Sequence, residues 1–130
     1  MSQLANERTR DYARIALASI RLINGLAALL VPGFLARQVG IDADAYPGVK
    51  YVFRMFGVRT VLIGADLLLE SGERRAESLR AAVLIHASDT LAASLASLQR
   101  GFPKRGRVIV LISAINTALA VYAAKTPKSA

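Results

Sequence analysis

The sequence predicts an all-α fold, a four-helix transmembrane bundle with up-down-up-down topology, and three observations lead to it. Hydrophobic residues make up 54% of the 130 residues, and the mean hydropathy of +0.40 exceeds what a soluble domain normally needs. Four long apolar stretches alternate with shorter polar connections. Aromatic residues contribute only 6%, with no tryptophan, which favours Leu-, Ala- and Val-rich helices over a β-sandwich. At this length we expect one domain, residues 1–130.

Charge and composition exclude several kinds of function. The net charge of +8 and the pI near 10.6 are compatible with nucleic-acid binding. However, the basic residues gather at the ends of the apolar stretches, as they do beside anionic headgroups, and no aromatic residues alternate with them to stack bases. We therefore expect the lipid bilayer, and no nucleic acid, as partner. The chain has no cysteine and one histidine, so neither metal nor cofactor is expected.

The first span is expected over about residues 12–31, an apolar run of roughly 30 Å as a helix, enough to cross a bilayer. Residues 1–11 are polar, and we expect them to fray or to lie on the surface. A Pro-Gly pair ends the run. A signal peptide would also place an apolar core after basic residues, but Arg21 and Asn24 interrupt this core and no small-x-small cleavage site follows.

The longest connection, residues 34–50, links the first two spans. Its apolar residues are interspersed with polar ones, a pattern typical of a short helix lying at the membrane interface. Asp42 and Asp44 then precede a Tyr-Pro-Gly sequence, which predicts a turn before the second span.

The remaining spans are expected over about residues 51–69, 79–98 and 108–124. A tight polar turn, residues 71–75, separates the second span from the third. The third span is rich in alanine and serine, which allow close helix approach where lipid gives no hydrophobic drive for association. A basic loop, residues 99–107, leads into the fourth span.

The fourth span decides between a membrane protein and a soluble bundle. It contains no charged residue, and its clearly polar side chains before Tyr122 (Ser113, Asn116 and Thr117) share one narrow face. A surface helix of a soluble protein shows the opposite pattern, a broad polar face beside an apolar stripe. We therefore interpret the polar face as turned inward and the apolar surround as turned to lipid. Residues 125–130 are expected to form a polar tail.

Each span has one strongly polar residue near its midpoint, namely Arg21, Arg59, Asp89 and Asn116 in chain order. Charges at such depth are costly and require partners. We expect Asp89 to pair with either or both arginines, and Asn116 to complete their hydrogen bonds. The predicted polar layer as a whole comprises Arg21, Asn24, Arg54, Arg59, Asp66, Asp89 and Asn116.

Helix depth also suggests pairs outside the midplane. Arg14 and Asp66 lie at similar depth on the terminal side, so we expect them to pair. Arg54 lies near the opposite surface, within reach of either aspartate of the first connection, Asp42 or Asp44. Gly57 and Gly64 share a face of the second span and are interpreted as helix-packing positions.

Three interpretations of the polar layer stay open. Buried polar residues at matched depth serve to set helix register and partner choice, and this structural role is favoured. The layer would alternatively bind a small lipophilic or anionic amphiphile through its arginines. A small intramembrane enzyme would use Asp89 and His86, which share a helix face, as acid and base; these are the candidate catalytic residues.

The pattern of Tyr51, Arg54, Phe56, Gly57, Arg59 and Gly64, followed by a helix with Asp89, resembles an uncharacterised bacterial family. Its members are small four-span membrane proteins known as a domain of unknown function, with looser similarity to DoxX-like proteins. Ala13-Arg14, the Gly25 region and Pro32 before Ala36-Arg37 extend the resemblance over most of the chain. The chain departs from the pattern at Thr60, where such sequences often have an acidic residue. The resemblance implies the four-span fold and no established activity.

Lysine and arginine near the spans are distributed almost evenly between the two sides. Eight lie on the terminal side (Arg8, Arg10, Arg14, Arg74, Arg75, Arg80, Lys125, Lys128) and seven on the other (Arg37, Lys50, Arg54, Arg100, Lys104, Arg105, Arg107). The basic N-terminus before the first span favours cytoplasmic termini in a bacterial plasma membrane. A homo-oligomer or a larger membrane complex stays an open alternative.

Overall fold

The computed structural model describes residues 2–125, which are helical with short connections and contain no strand. The helices are α1 (Ser2–Leu30), α2 (Pro32–Gln38), α3 (Gly48–Leu69), α4 (Gly72–Ser97) and α5 (Val108–Ala124), with a 3₁₀ segment (Lys104–Arg107) before α5. The all-helical class is confirmed, and α5 has the bounds predicted for the fourth span. The predicted tail beyond Lys125 lies outside the described residues.

Two helices begin earlier than the apolar pattern predicts. Helix α1 starts at Ser2 rather than near residue 12, and α4 starts at Gly72 rather than near residue 79. The predicted polar turn at residues 71–75 is therefore wrong, and Glu70-Ser71 alone separates α3 from α4. The reason is that hydropathy marks the apolar part of a helix and not its end, since polar residues such as Glu and Arg are good helix formers.

The short helix expected in the first connection is present as α2. Pro32 occupies its first turn, where the missing N–H costs no hydrogen bond and the ring prevents α1 from continuing. The loop after α2 contains Gly40 with φ of +82°, and a Cβ there would lie 2.8 Å from Cβ of Pro103. The connections α2–α3 and α4–α5 therefore touch at the same end of the molecule.

Helices α1 and α3 pack at very short distance through glycine. A Cβ at Gly57 would lie 2.8 Å from the carbonyl oxygen of Gly25, and one at Gly25 would lie 2.9 Å from the backbone nitrogen of Val61. Further along, Gly64 faces Ala18 and Leu22. The helices are therefore antiparallel, and the prediction of Gly57 and Gly64 as packing positions is confirmed.

An apolar core occupies the end of the molecule where the chain begins. It consists of Leu17, Ala18, Leu67, Leu79, Ala82 and Ala120, so that α1, α3, α4 and α5 all contribute. Helix α4 packs extensively on α5, whereas α3 and α4 pack much less on each other. The α3–α4 interface is thus held by few apolar contacts.

Much of the apolar surface faces outward. Leu69 is 82% exposed and Leu84 is 70% exposed, and each long helix has further exposed leucine, isoleucine or valine. Two helical segments, Gln3–Leu30 and Lys104–Ala124, are long and apolar enough to cross a membrane, with mean hydropathies of 1.5 and 1.8. In the most apolar 18-residue stretch of the second segment, only 11% is buried inside the protein.

Candidate functional site

Asp89 is the centre of a charged cluster between α1, α3 and α4. Arg59 donates from Nη2 to both carboxylate oxygens, at 2.9 and 3.1 Å, and Nη2 of Arg21 lies 3.8 Å from Oδ2. His86, one turn earlier on α4, places Nδ1 3.9 Å from Oδ2. We call Arg21, Arg59, His86 and Asp89 the Asp89 cluster. The sequence predicts that Asp89 pairs with Arg21, Arg59 or both, and Asp89 lies within ion-pair distance of both, with Arg59 as the closer partner.

The two arginines occupy different environments. The Arg21 side chain is almost fully buried, while that of Arg59 is 49% exposed and that of Asp89 24% exposed. Arg21 donates from Nη2 to Oγ1 of the buried Thr60 at 3.4 Å. Asp89 therefore joins an interior arginine of α1 to a surface arginine of α3.

Phe56 and Thr60 complete the surroundings of the arginines, although neither was assigned a role from the sequence. The guanidinium carbons of Arg21 and Arg59 lie 5.5 and 5.8 Å from the centroid of the Phe56 ring, within cation–π range. Phe56 and Thr60 are four residues apart on α3 and share a helix face, which is the signal that would have pointed to both.

His86 is fully buried and makes no hydrogen bond to Asp89 in this arrangement. A separation of 3.9 Å exceeds hydrogen-bond length, and neither ring nitrogen has a hydrogen-bond partner within residues 2–125. The two candidate catalytic residues are therefore neighbours on α4 without a direct hydrogen bond.

Asn116 is also buried, but it does not complete the hydrogen bonds of the cluster as predicted. Neither its amide nitrogen nor its oxygen has a partner among the described residues. Its neighbour Thr117 instead shares a hydrogen bond of 2.9 Å with Thr90 of α4, and also donates to the carbonyl of Ser113. The polar link between α4 and α5 is therefore a pair of threonine hydroxyls.

Replacing Asn116 with leucine is expected to leave the free energy of unfolding unchanged or to raise it by about 1–2 kcal/mol. Burying an amide without a protein partner costs free energy, and leucine has similar size and no polar atom. Denaturant titration in a neutral detergent measures the effect, with Thr117→Val as the control that removes a made hydrogen bond. A loss above about 1 kcal/mol for Asn116→Leu would show that the amide has a structural partner.

The pair predicted between Arg14 and Asp66 is wrong. Arg14 donates to Oδ1 of Asp11, one turn earlier on α1, at 2.9 Å from Nε and 2.6 Å from Nη2, and Nη1 donates to the carbonyl of Leu67. Asp66 is exposed beside a cleft between α3 and α4 and has no ion-pair partner in the described part of the chain. Arg14 and Asp66 lie at similar depth, but their helices direct the two side chains differently.

The pairing expected for Arg54 is also wrong. Lys50 donates a hydrogen bond from Nζ to Oδ1 of Asp44 at 2.7 Å. This contact lowers the pKa of the Asp44 carboxyl group below the ordinary value. Asp42 accepts from the backbone N–H groups of Asp44 and Ala45, closing the turn before α3. Arg54 is exposed on α3, with no ion pair to either aspartate.

Asn24 lies half-buried on α1 and makes no side-chain hydrogen bond within residues 2–125. No group of three metal-ligating side chains occurs in that same part of the chain. Of the seven residues of the predicted polar layer, the structure thus brings together Arg21, Arg59 and Asp89, and leaves Asn24, Arg54, Asp66 and Asn116 outside their contacts.

No protein-family model matches the sequence, and neither a curated protein nor a solved structure is significantly similar to it.

Proposed function

We propose that the chain is a small integral membrane protein that crosses the bilayer four times, and that the Asp89 cluster holds its helices in register. One observation carries this proposal. Arg21, Thr60, His86 and Asn116 are all at most 3% exposed, whereas many large apolar side chains on every long helix are exposed. In water this distribution would expose apolar surface and bury polar groups at a cost; in lipid it is the favourable one.

The position of Asp89 supports a structural role for the cluster. Helices α3 and α4 pack little on each other, and the Arg59–Asp89 ion pair joins them directly. In a hydrocarbon environment, an unpaired charge on α3 or α4 would be costly. The ion pair neutralises both charges. The ion pair therefore allows α3 and α4 to insert beside α1 and α5.

The other interpretations of the polar layer have less support. For catalysis by Asp89 and His86, the observed separation of 3.9 Å and the full burial of His86 give no positive support. An amphiphile at the cluster would compete with Asp89 for Arg59, which already donates to both carboxylate oxygens. We also propose membership of the four-span family that the α3 motif resembles, and cytoplasmic termini in a bacterial plasma membrane.

Membrane extraction tests the first part of the proposal. We expect the protein to stay in the membrane pellet after alkaline carbonate washing and to enter solution only with detergent. Quantitative recovery in the soluble fraction without detergent would refute an integral membrane protein.

Cysteine labelling measures the number of spans, since the natural chain contains no cysteine. Single cysteines at Gln3, Ala45, Ser71 and Gln99 report the start of α1 and the three connections. Four spans place Ala45 and Gln99 on one side and Gln3 and Ser71 on the other, as read with a membrane-impermeant maleimide. If only α1 and α5 cross, Ser71 will instead label together with Ala45 and Gln99.

A further inference from the structure

A cleft of about 900 Å³ opens at the end of the molecule where α1 begins and α5 ends. It lies between the first turns of α1, the first half of α4 and the last turns of α5, on the side away from the α2–α3 connection. Its volume is within the range of roughly 300–1,000 Å³ that small-molecule sites occupy. The Asp89 cluster does not line it.

Three cations line the cleft, and we call Arg10, Arg80 and Lys125 its cationic rim. Among the described residues that line the cleft, Glu7 is the only carboxylate. None of these three cations forms an ion pair within residues 2–125, in contrast to Arg59 and Lys50. The cleft therefore has an excess of two positive charges that no described carboxylate neutralises.

Two contacts hold part of this rim in place. Arg10 donates from Nη1 to the carbonyl oxygen of Lys125 at 2.6 Å, which ties α1 to the end of α5. Nζ of Lys125 lies 5.6 Å from the centroid of the Tyr122 ring. Cations positioned before a ligand arrives lose less conformational entropy on binding than free side chains do.

Apolar side chains line the same cleft. Val83 of α4 and Val121 and Ala124 of α5 are among them. A cleft lined by both cationic and apolar side chains matches a molecule with an anionic head and a hydrocarbon part. A free phosphate ion would use only the cationic side chains.

We propose that this cleft binds an anionic phospholipid, with the headgroup phosphate on Arg10, Arg80 and Lys125 and an acyl chain along Val83 and Val121. The inference rests on the proposed membrane location, because helix ends flanking a span lie at headgroup depth. Basic pockets between transmembrane helices are suited to anionic headgroups for the same electrostatic reason.

Titration of the purified full-length protein with short-chain lipids tests the site. Dihexanoyl phosphatidylglycerol is the anionic probe, and dihexanoyl phosphatidylcholine is the zwitterionic one, with binding measured by native mass spectrometry in neutral detergent. We expect the anionic lipid to bind more tightly, and Arg80→Gln to weaken its binding about five-fold. Arg8→Gln is the matched control, since Arg8 is an exposed arginine of α1 outside the cleft.

Two further variants separate the site from a general effect on folding. Glu7→Gln removes a carboxylate that lines the cleft, and we expect it to tighten binding of the anionic lipid about two- to five-fold. Ala124→Trp places a bulky side chain in the cleft without a change of charge, and is expected to reduce binding of the anionic lipid.

The outcomes are distinct. Equal affinities for both lipids, or equal effects of Arg80→Gln and Arg8→Gln, would overturn the proposal. Competition by glycerol 3-phosphate at the lipid's own concentration would assign the cleft to soluble phosphates and also overturn it. Because the probes are water-soluble, the titration reports on the cleft whether or not carbonate extraction supports the membrane location.

Discussion

Replacing Asp89 with asparagine is expected to lower the free energy of unfolding by about 3 kcal/mol, the low end of the cost of breaking a buried ion pair. The substitution keeps the shape of the side chain but leaves the guanidiniums of Arg21 and Arg59 without a counter-charge. The cost is at the low end of the range for a buried ion pair because the Arg59 side chain is half exposed. Denaturant titration of the purified protein in a neutral detergent measures the change.

Asp66→Asn is the matched control, the same chemical change on α3 at an exposed carboxylate. Surface substitutions of this kind change stability by about 0.5 kcal/mol or less. Arg59→Met in the Asp89→Asn background should recover part of the loss, because it removes one unpaired charge. Equal, small effects at Asp89 and Asp66 would contradict the structural role. A folded Asp89→Asn protein that loses a co-purifying molecule would favour the amphiphile interpretation.

Replacing Gly57 with leucine is expected to separate α1 from α3, at a cost of about 3 kcal/mol or more, and replacing it with alanine to cost about 2 kcal/mol. Even one methyl group at this position meets the carbonyl oxygen of Gly25 and the backbone nitrogen of Leu29, at 2.8 and 2.9 Å. Backbone atoms cannot rotate aside as a side chain can. The helices must therefore move apart, which also displaces Arg21 from Asp89.

Alanine substitutions at two other glycines are expected to have smaller effects. A Cβ at Gly64 approaches the flexible Leu22 side chain at 2.9 Å and the backbone carbonyl of Ala18 only at 3.1 Å, so Gly64→Ala should cost less than Gly57→Ala. Gly48 has nothing within 4 Å, and Gly48→Ala should be neutral or stabilise by up to about 1 kcal/mol. Thermal unfolding of the three alanine variants in detergent gives the order. A Gly57→Ala protein as stable as Gly48→Ala would mean that α1 and α3 are not in close contact.

Several features followed from the sequence because they depend on composition and on position along a helix. The bounds of α5 coincide with an uncharged apolar run, and the glycine spacing on α3 indicated its packing face. The pairing of Asp89 with Arg59, Arg21 or both followed from depth alone, since all three residues lie near the middle of their predicted spans. The polar starts of α1 and α4 did not follow, because a helix continues through polar residues as readily as through apolar ones.

By itself, the sequence determined which parts of the chain are apolar and at what depth along a helix each charge lies. A rise of about 1.5 Å per residue converts position in the sequence into depth. Only the tertiary structure decided the direction of each side chain, because rotation of a helix about its axis depends on the packing of all its neighbours. One residue corresponds to about 100° of rotation, and this is why the side chain of Thr117 and not that of Asn116 forms a hydrogen bond to α4. For the same reason Arg14 bonds Asp11 and the Leu67 carbonyl, while Asp66, at a similar depth, faces outward.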